Sequence, residues 1–208
     1  MKSIFTLTAA ACLAGGLAAQ DFPRWTLQGS GGFTAAPGRT GEAVNTGWNL
    51  GAGGGYNFSR HLGLNLDYQF HRFGFNEGAV SSLRGIDGAL RVSNFSLNPV
   101  WRIAPGRKAG AYLTGGYGVY TLTAAFEGTA TSAGRSCNPA FGGCLPGFAA
   151  GGSLGDITTT RGGFNAGAGF EFRVRDTRTK LFTEARYHRI FTTGKSLEMV
   201  PVSFGVRW

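Results

Sequence analysis

Histidine occurs three times in the chain, at His61, His71 and His188, and these are the side chains suited to moving protons near neutral pH. His188 follows Glu184 at a spacing of four, so a base and an acid are present in composition. A hydrolytic triad also needs a nucleophile beside the base, and none is apparent. The same spacing puts both side chains on one face of a strand, where a hydrogen bond is the simpler outcome. Gly51, Gly53 and Gly55 superficially suggest a phosphate-cradling glycine loop. They alternate within an extended segment with no helix following, so the context such a loop requires is missing. Cys137 and Cys144 form a close pair in a Gly/Pro-rich stretch, which reads as a disulfide in an oxidising compartment. Two free thiols or a partial metal site are the alternatives, and no histidine lies nearby. The expectation is no enzyme activity, no cofactor and no metal.

A different chemistry comes from charged residues at alternate positions. Asp67, His71, Arg102, Glu171, Arg173, Glu184, Arg186, His188 and Arg207 fall on the polar face of segments whose other face is apolar. Shut together in a poorly hydrated interior, such groups must pair. The pattern predicts a charge-paired plug. Pairing 161–174 with 180–191 about their turn sets Glu171 beside Glu184, with Arg173 and Arg186 placed to separate the two carboxylates. A structural network that holds the interior shut is one reading, and a rearranging gate that leaks small ions is the other.

The elements that position these residues are strands. In the last eleven residues Val200, Val202, Phe204, Val206 and Trp208 share one face, opposite Met199, Pro201, Ser203, Gly205 and Arg207. An edge this apolar would aggregate in water, but it makes sense if the strand closes a barrel whose outside meets lipid. The edge of a soluble β-sandwich is the alternative. The same alternation recurs at 24–34, 47–58, 62–71, 89–103, 110–122, 161–174 and 180–191. It is clearest in 62–71, where Leu62, Leu64, Leu66, Tyr68 and Phe70 oppose polar residues, and the two faces of 110–122 are hard to tell apart. The count is eight, an even number, as a closed up-and-down barrel requires. Connections are long at 35–46, 74–88 and 123–160 and short at 59–61, 104–109 and 175–179, so one rim carries long loops, with only its last, 192–197, short, and the other carries tight turns.

Composition agrees. Thirty-six glycines, 13% aromatics and only 15% charged residues fit curved, lipid-facing strands, and no apolar run after the N-terminus approaches the ~20 residues of a helical span. Lys2, the apolar stretch 4–17 and the small residues at 16–19 read as a cleavable signal peptide over 1–20, leaving a barrel domain at 21–208. Without Lys2, nineteen basic residues stand against eleven acidic ones. Arg60, Arg107, Lys108, Arg175, Arg178 and Lys180 gather at the short turns, which suits outer-membrane lipid headgroups and not nucleic acid. On this threading Trp25, Trp101 and Trp208 point outward at the turn-side rim and Trp48 at the loop-side rim, as interfacial girdles.

Tyr112-Leu-Thr-Gly-Gly-Tyr, Phe164-Asn-Ala-Gly-Ala-Gly-Phe-Glu-Phe, Phe182-Thr-Glu-Ala-Arg-Tyr-His and the terminal strand resemble the OmpA/OmpX-type outer-membrane barrel superfamily over nearly everything after residue 21. The resemblance implies an all-β fold, an eight-stranded antiparallel up-and-down transmembrane β-barrel, in the bacterial outer membrane. It also implies that barrel-assembly machinery reads Val200, Val202, Phe204, Val206 and Trp208. Function within the superfamily varies. A structural or adhesin-like surface role, with a surface ligand taken by the 123–160 loop, is the first expectation and a narrow porin-like channel the second. A lipid-modifying enzyme is the third: deacylase-type barrels carry His and Ser two positions apart, whereas Gly63, Phe73 and Ile190 follow the histidines here. Larger relatives continue into a peptidoglycan-binding domain; this sequence ends at its last strand, so that role is not carried over.

Overall fold

The computed structural model describes residues 22–38, 40–41, 44–75, 87–105, 108–127, 137–138, 143–144, 157–175, 177–192 and 196–208. The proposed signal segment lies outside them. Eight long strands form the molecule: β1 (Trp25–Ala35), β2 (Gly47–Asn57), β3 (Leu62–Gly74), β4 (Asp87–Arg102), β5 (Ala109–Glu127), β8 (Ile157–Arg173), β9 (Lys180–Phe191) and β10 (Ser196–Arg207). Two two-residue strands, β6 (Cys137–Asn138) and β7 (Gly143–Cys144), pair with each other between β5 and β8.

The long strands make one closed antiparallel barrel in the order β1-β10-β9-β8-β5-β4-β3-β2. Each long strand pairs with the next long strand in sequence, and closure comes from β1 against β10, in register from Gln28↔Arg207 to Ala35↔Val200. The backbone of Trp208 extends the seam: its N–H donates to Leu27 O at 3.0 Å, and Leu27 N–H donates to Trp208 O at 2.8 Å. Closure leaves no row of unpaired edge amides, which is the condition for β-structure in hydrocarbon.

The two faces of the strands follow the alternation. Trp25, Leu27, Phe33, Leu50, Leu66, Phe95, Leu97, Phe170 and Phe204 are exposed on the outside, while Asn49, Asn65, Asp67, Asn98 and Asn165 are buried within. This inverts the arrangement of a protein dissolved in water, and lipid as the outer solvent is its cause. Near the loop-side rim the inversion ends. There Phe73, Leu90, Val92, Tyr120, Leu122, Ile190, Leu197 and Met199 pack inward as an apolar cluster, joined by Val44 from the first long loop. On the outside at that level stand Arg72, Arg91, Thr121, Thr123, Thr158 and Thr160. A tilted strand needs about 9–11 residues to cross the membrane. With 16, 19 and 17 residues, β4, β5 and β8 continue past it into water, where apolar side chains turn inward again.

The inward glycines of β2 have a packing reason. A Cβ on Gly53 would collide with the Asp67 carboxylate, and one on Gly55 with the Asn65 amide. Those two positions are empty so that polar side chains from β3 can lie across the lumen.

Candidate functional site

The lumen is organised around Arg186 on β9. Its Nη1 lies 2.9 Å from Oδ2 of Asp67 on β3, and its Nε pairs with Oε1 of Glu184 two residues back on its own strand. In the barrel order β9 and β3 face each other across the full diameter. Asp67 also accepts hydrogen bonds from Gln28 Nε2 at 2.7 Å and Asn98 Nδ2 at 2.8 Å, and Glu184 accepts one from Tyr112 OH at 2.9 Å. Gln28 is half-buried and the other side chains are buried, so the donors that converge on each carboxylate offset the cost of taking it out of water.

Below this layer, toward the turn-side mouth, Arg207 on β10 donates to Glu171 Oε2 at 3.1 Å and twice to Gln28 Oε1, at 2.9 and 2.7 Å. Its guanidinium carbon sits 4.9 Å from the Tyr112 ring centroid and 4.8 Å from that of Phe182. Lys180 completes Glu171, and Arg102 donates to Asn57 Oδ1 at 2.9 Å. Above it, His71 Nδ1 meets Thr34 Oγ1 and His188 Nδ1 meets Tyr120 OH, each at 2.9 Å, with the two imidazole centroids 6.1 Å apart. The apolar cluster then closes the loop-side end.

Eight of the nine residues placed inward by alternation are buried here: Asp67, His71, Arg102, Glu171, Glu184, Arg186, His188 and Arg207. Arg173 is the correction. It is exposed at the turn-side mouth and shares no pair with a lumen carboxylate among the described residues. The neighbouring expectation fails with it, since Glu171 stands opposite Phe182 and Glu184 opposite Gly169. The Val174–Thr179 turn closes with Val174 N–H donating to Thr179 O, which brings Arg173 opposite Lys180 and slides the register by two residues. Two residues is one strand repeat, so the faces are kept while the partners change. The carboxylates separate, and no arginine has to stand between them.

Sequence reasoning missed the neutral half of the network. Gln28, Asn49, Asn57, Asn98, Tyr112, Tyr120 and Ser203 all bond within the lumen. Inward parity of polar residues on β1, β2, β4 and β10 would have found five of them; Tyr112 and Tyr120 lie on β5, whose two faces look alike.

The acid–base candidates are committed elsewhere. Glu184 serves Arg186 and Tyr112, and His188 meets a tyrosine hydroxyl. His61 lies exposed in the β2–β3 turn. Trp25, Trp101 and Trp208 are exposed near the turns and Trp48 near the long loops. Val200 and Val202 are half-buried and Phe204, Val206 and Trp208 exposed on the outer face of β10. At the turn-side mouth a cavity of about 680 Å³ is lined by Arg60, Arg102, Arg173, Arg178, Lys180 and Arg207. Arg60, Arg178 and Lys180 therefore border the lumen entrance as well as the rim; Arg107 lies outside the described residues. Cys137 and Cys144 stand opposite each other in the β6–β7 pair.

A closed eight-stranded antiparallel barrel, apolar outside and polar within, defines an integral protein of the bacterial outer membrane. The chain belongs to the family of the outer membrane protein beta-barrel domain, whose model matches residues 3–208. Among solved structures it is similar to Neisserial surface protein A, with 15% identity, a TM-score of 0.59 and coverage of 89% of this chain and 96% of that one. It is also similar to a major outer membrane protein from Thermus thermophilus, with 9% identity, a TM-score of 0.54 and coverage of 88% and 97%. At such identities the likeness concerns the fold. No curated protein matches the chain.

Proposed function

We propose that this barrel serves the envelope as a sealed structural element that acts through its outer surface and long-loop rim. The carrying observation is the double closure of the lumen, by the Arg186–Asp67–Glu184 ties across the barrel and by the apolar cluster in which Tyr120, Ile190 and Met199 have no accessible surface. An interior filled in this way serves stability, as expected for eight strands. Interaction then falls to the rim, where 123–160 is the longest connection in the sequence. The outer face of β10, from Val200 to Trp208, is the segment that barrel-assembly machinery would read during insertion. Deleting residues 128–155 and measuring attachment of cells to host or neighbouring-cell surfaces tests the reading: attachment should fall, and unchanged attachment would remove the surface-ligand role.

A second reading, a narrow path for small anions, draws on the basic cavity at the turn-side mouth. Planar-bilayer recordings of the purified protein distinguish the two, since the sealed barrel gives no discrete conductance steps. An enzymatic role has no support in the geometry, because neither lumen histidine has a hydroxyl–carboxylate pair arranged for nucleophilic attack.

A further inference from the structure

On the outer face of β2, β3, β4, β5 and β8, just above the apolar belt, the registers align Trp48, Arg72, Arg91, Thr123 and Thr158 in one row across five strands. The row beneath reads Phe70, Ser93, Thr121 and Thr160. We propose that this patch is a binding site for the phosphorylated sugar headgroup of an outer-leaflet glycolipid.

Arg72 and Arg91 are directly opposed, and like charges in that relation destabilise a sheet unless an anion lies between them. No carboxylate among the described residues pairs with either. Two guanidinium forks side by side match a phosphate group, which accepts such bonds in pairs. The level of the patch decides where the anion comes from. Immediately below it Tyr68 and Phe95 pack at a tilt with ring centroids 4.8 Å apart on the lipid-facing side, so a group lying against the arginines is a membrane headgroup and not a solute of the lumen.

Its width selects the kind of headgroup. From Arg72 to Thr158 the row crosses three strand spacings, roughly 14 Å at about 4.8 Å each. A glycerol phosphate is too small to span that distance, whereas a phosphorylated disaccharide is not. The threonines supply the sugar contacts: Thr121 and Thr160 hydroxyls are 3.3 Å apart and those of Thr123 and Thr158 3.1 Å, and each pair retains donor and acceptor capacity facing outward. The site is independent of whether the loop rim binds a surface ligand.

The test uses the full mature barrel in phosphatidylcholine nanodiscs doped with lipid A carrying both phosphates, dephosphorylated lipid A, or phosphatidylglycerol, with lipid retained per barrel counted by native mass spectrometry. The unmodified protein should retain the bisphosphorylated form at a doping level at least about tenfold lower than either alternative, the factor expected from losing one to two charge-assisted contacts. Arg72→Gln with Arg91→Gln should abolish that preference, Arg72→Lys with Arg91→Lys should keep part of it, and Arg189→Gln on the opposite wall, where Glu198 lies 4.0 Å from the guanidinium, should leave it intact. Equal retention by the Gln variant overturns the proposal. Equal retention of dephosphorylated lipid A or of phosphatidylglycerol by the unmodified protein also overturns it, and that comparison holds even if the Gln variant does not fold.

Discussion

Arg186 and Asp67 join opposite walls of the barrel, Nη1 to Oδ2 at 2.9 Å, through the centre of the lumen. The pair is a strut, because β9 and β3 are as far apart in the strand order as two strands can be. Arg186→Gln would leave Asp67 and Glu184 buried without a cation, at a cost of about 3–5 kcal/mol. The expected result is a marked fall in the urea midpoint of the heat-modifiable folded band. Replacing Arg186, Asp67, Glu184 and Tyr112 together by Met, Leu, Leu and Phe should recover part of that loss, since no charge is then left unpaired while the Gln28 and Asn98 amides lose one acceptor each; a variant less stable than the single one would show that the strut is not the source.

The exchange of faces along the strands locates the membrane boundary. Leu66 lies in the middle of the apolar belt and Thr123 above it, on the same outer face. Leu66→Arg should cost about 2–4 kcal/mol and Thr123→Arg about 0–1, following the depth dependence of lipid-facing charges. Refolding into vesicles followed by denaturant titration measures both. Similar costs at the two positions would mean that the boundary has been placed wrongly.

Glycine marks where the lumen is crowded. A Cβ on Gly53 meets the Asp67 carboxylate and the Gln28 amide, whereas one on Gly29 meets nothing within 4 Å. Gly29→Ala should therefore be near neutral or stabilising, while Gly53→Ala displaces the acceptor of the Arg186 strut and should destabilise by about 1–3 kcal/mol, the usual cost of overpacking. Parallel thermal-migration gels on the two variants read the difference directly.

Alternation made the fold legible because a period of two assigns each side chain to a face whatever the register. Asp67, Glu184 and Arg207 were placed inward on that ground alone. Partners were not legible. Glu171 and Glu184 part company because the 174–179 turn closes two residues away from the pairing that brought them together, and nothing in its sequence sets that geometry. Arg173, one pair from that turn, keeps inward parity yet emerges at the mouth, since a strand end has no wall above it. The apolar cluster escaped for a different reason: Phe73, Leu90 and Ile190 share the inward parity of His71, Arg102 and His188, but a rule that treats the whole strand as lying in lipid expects polar side chains there.

Cys137 and Cys144 are Cα partners in the β6–β7 pair. Directly opposed residues of antiparallel strands have Cα atoms about 4.5–5.5 Å apart, within the usual disulfide range of about 4.4–6.8 Å. In an oxidising envelope the two should be bridged, and alkylation without reductant followed by peptide mass mapping should leave Cys137 and Cys144 unmodified. Such a bridge would close a short loop, which the chain-entropy model values at about 2–3 kcal/mol, and that energy would belong to the hairpin and not to the barrel. Cys137→Ser with Cys144→Ser should accordingly leave the barrel's urea midpoint unchanged while increasing protease nicking within 128–156. A shift of the barrel midpoint would instead mean that the hairpin is docked on the rim, so that the cross-link stabilises more than its own turn.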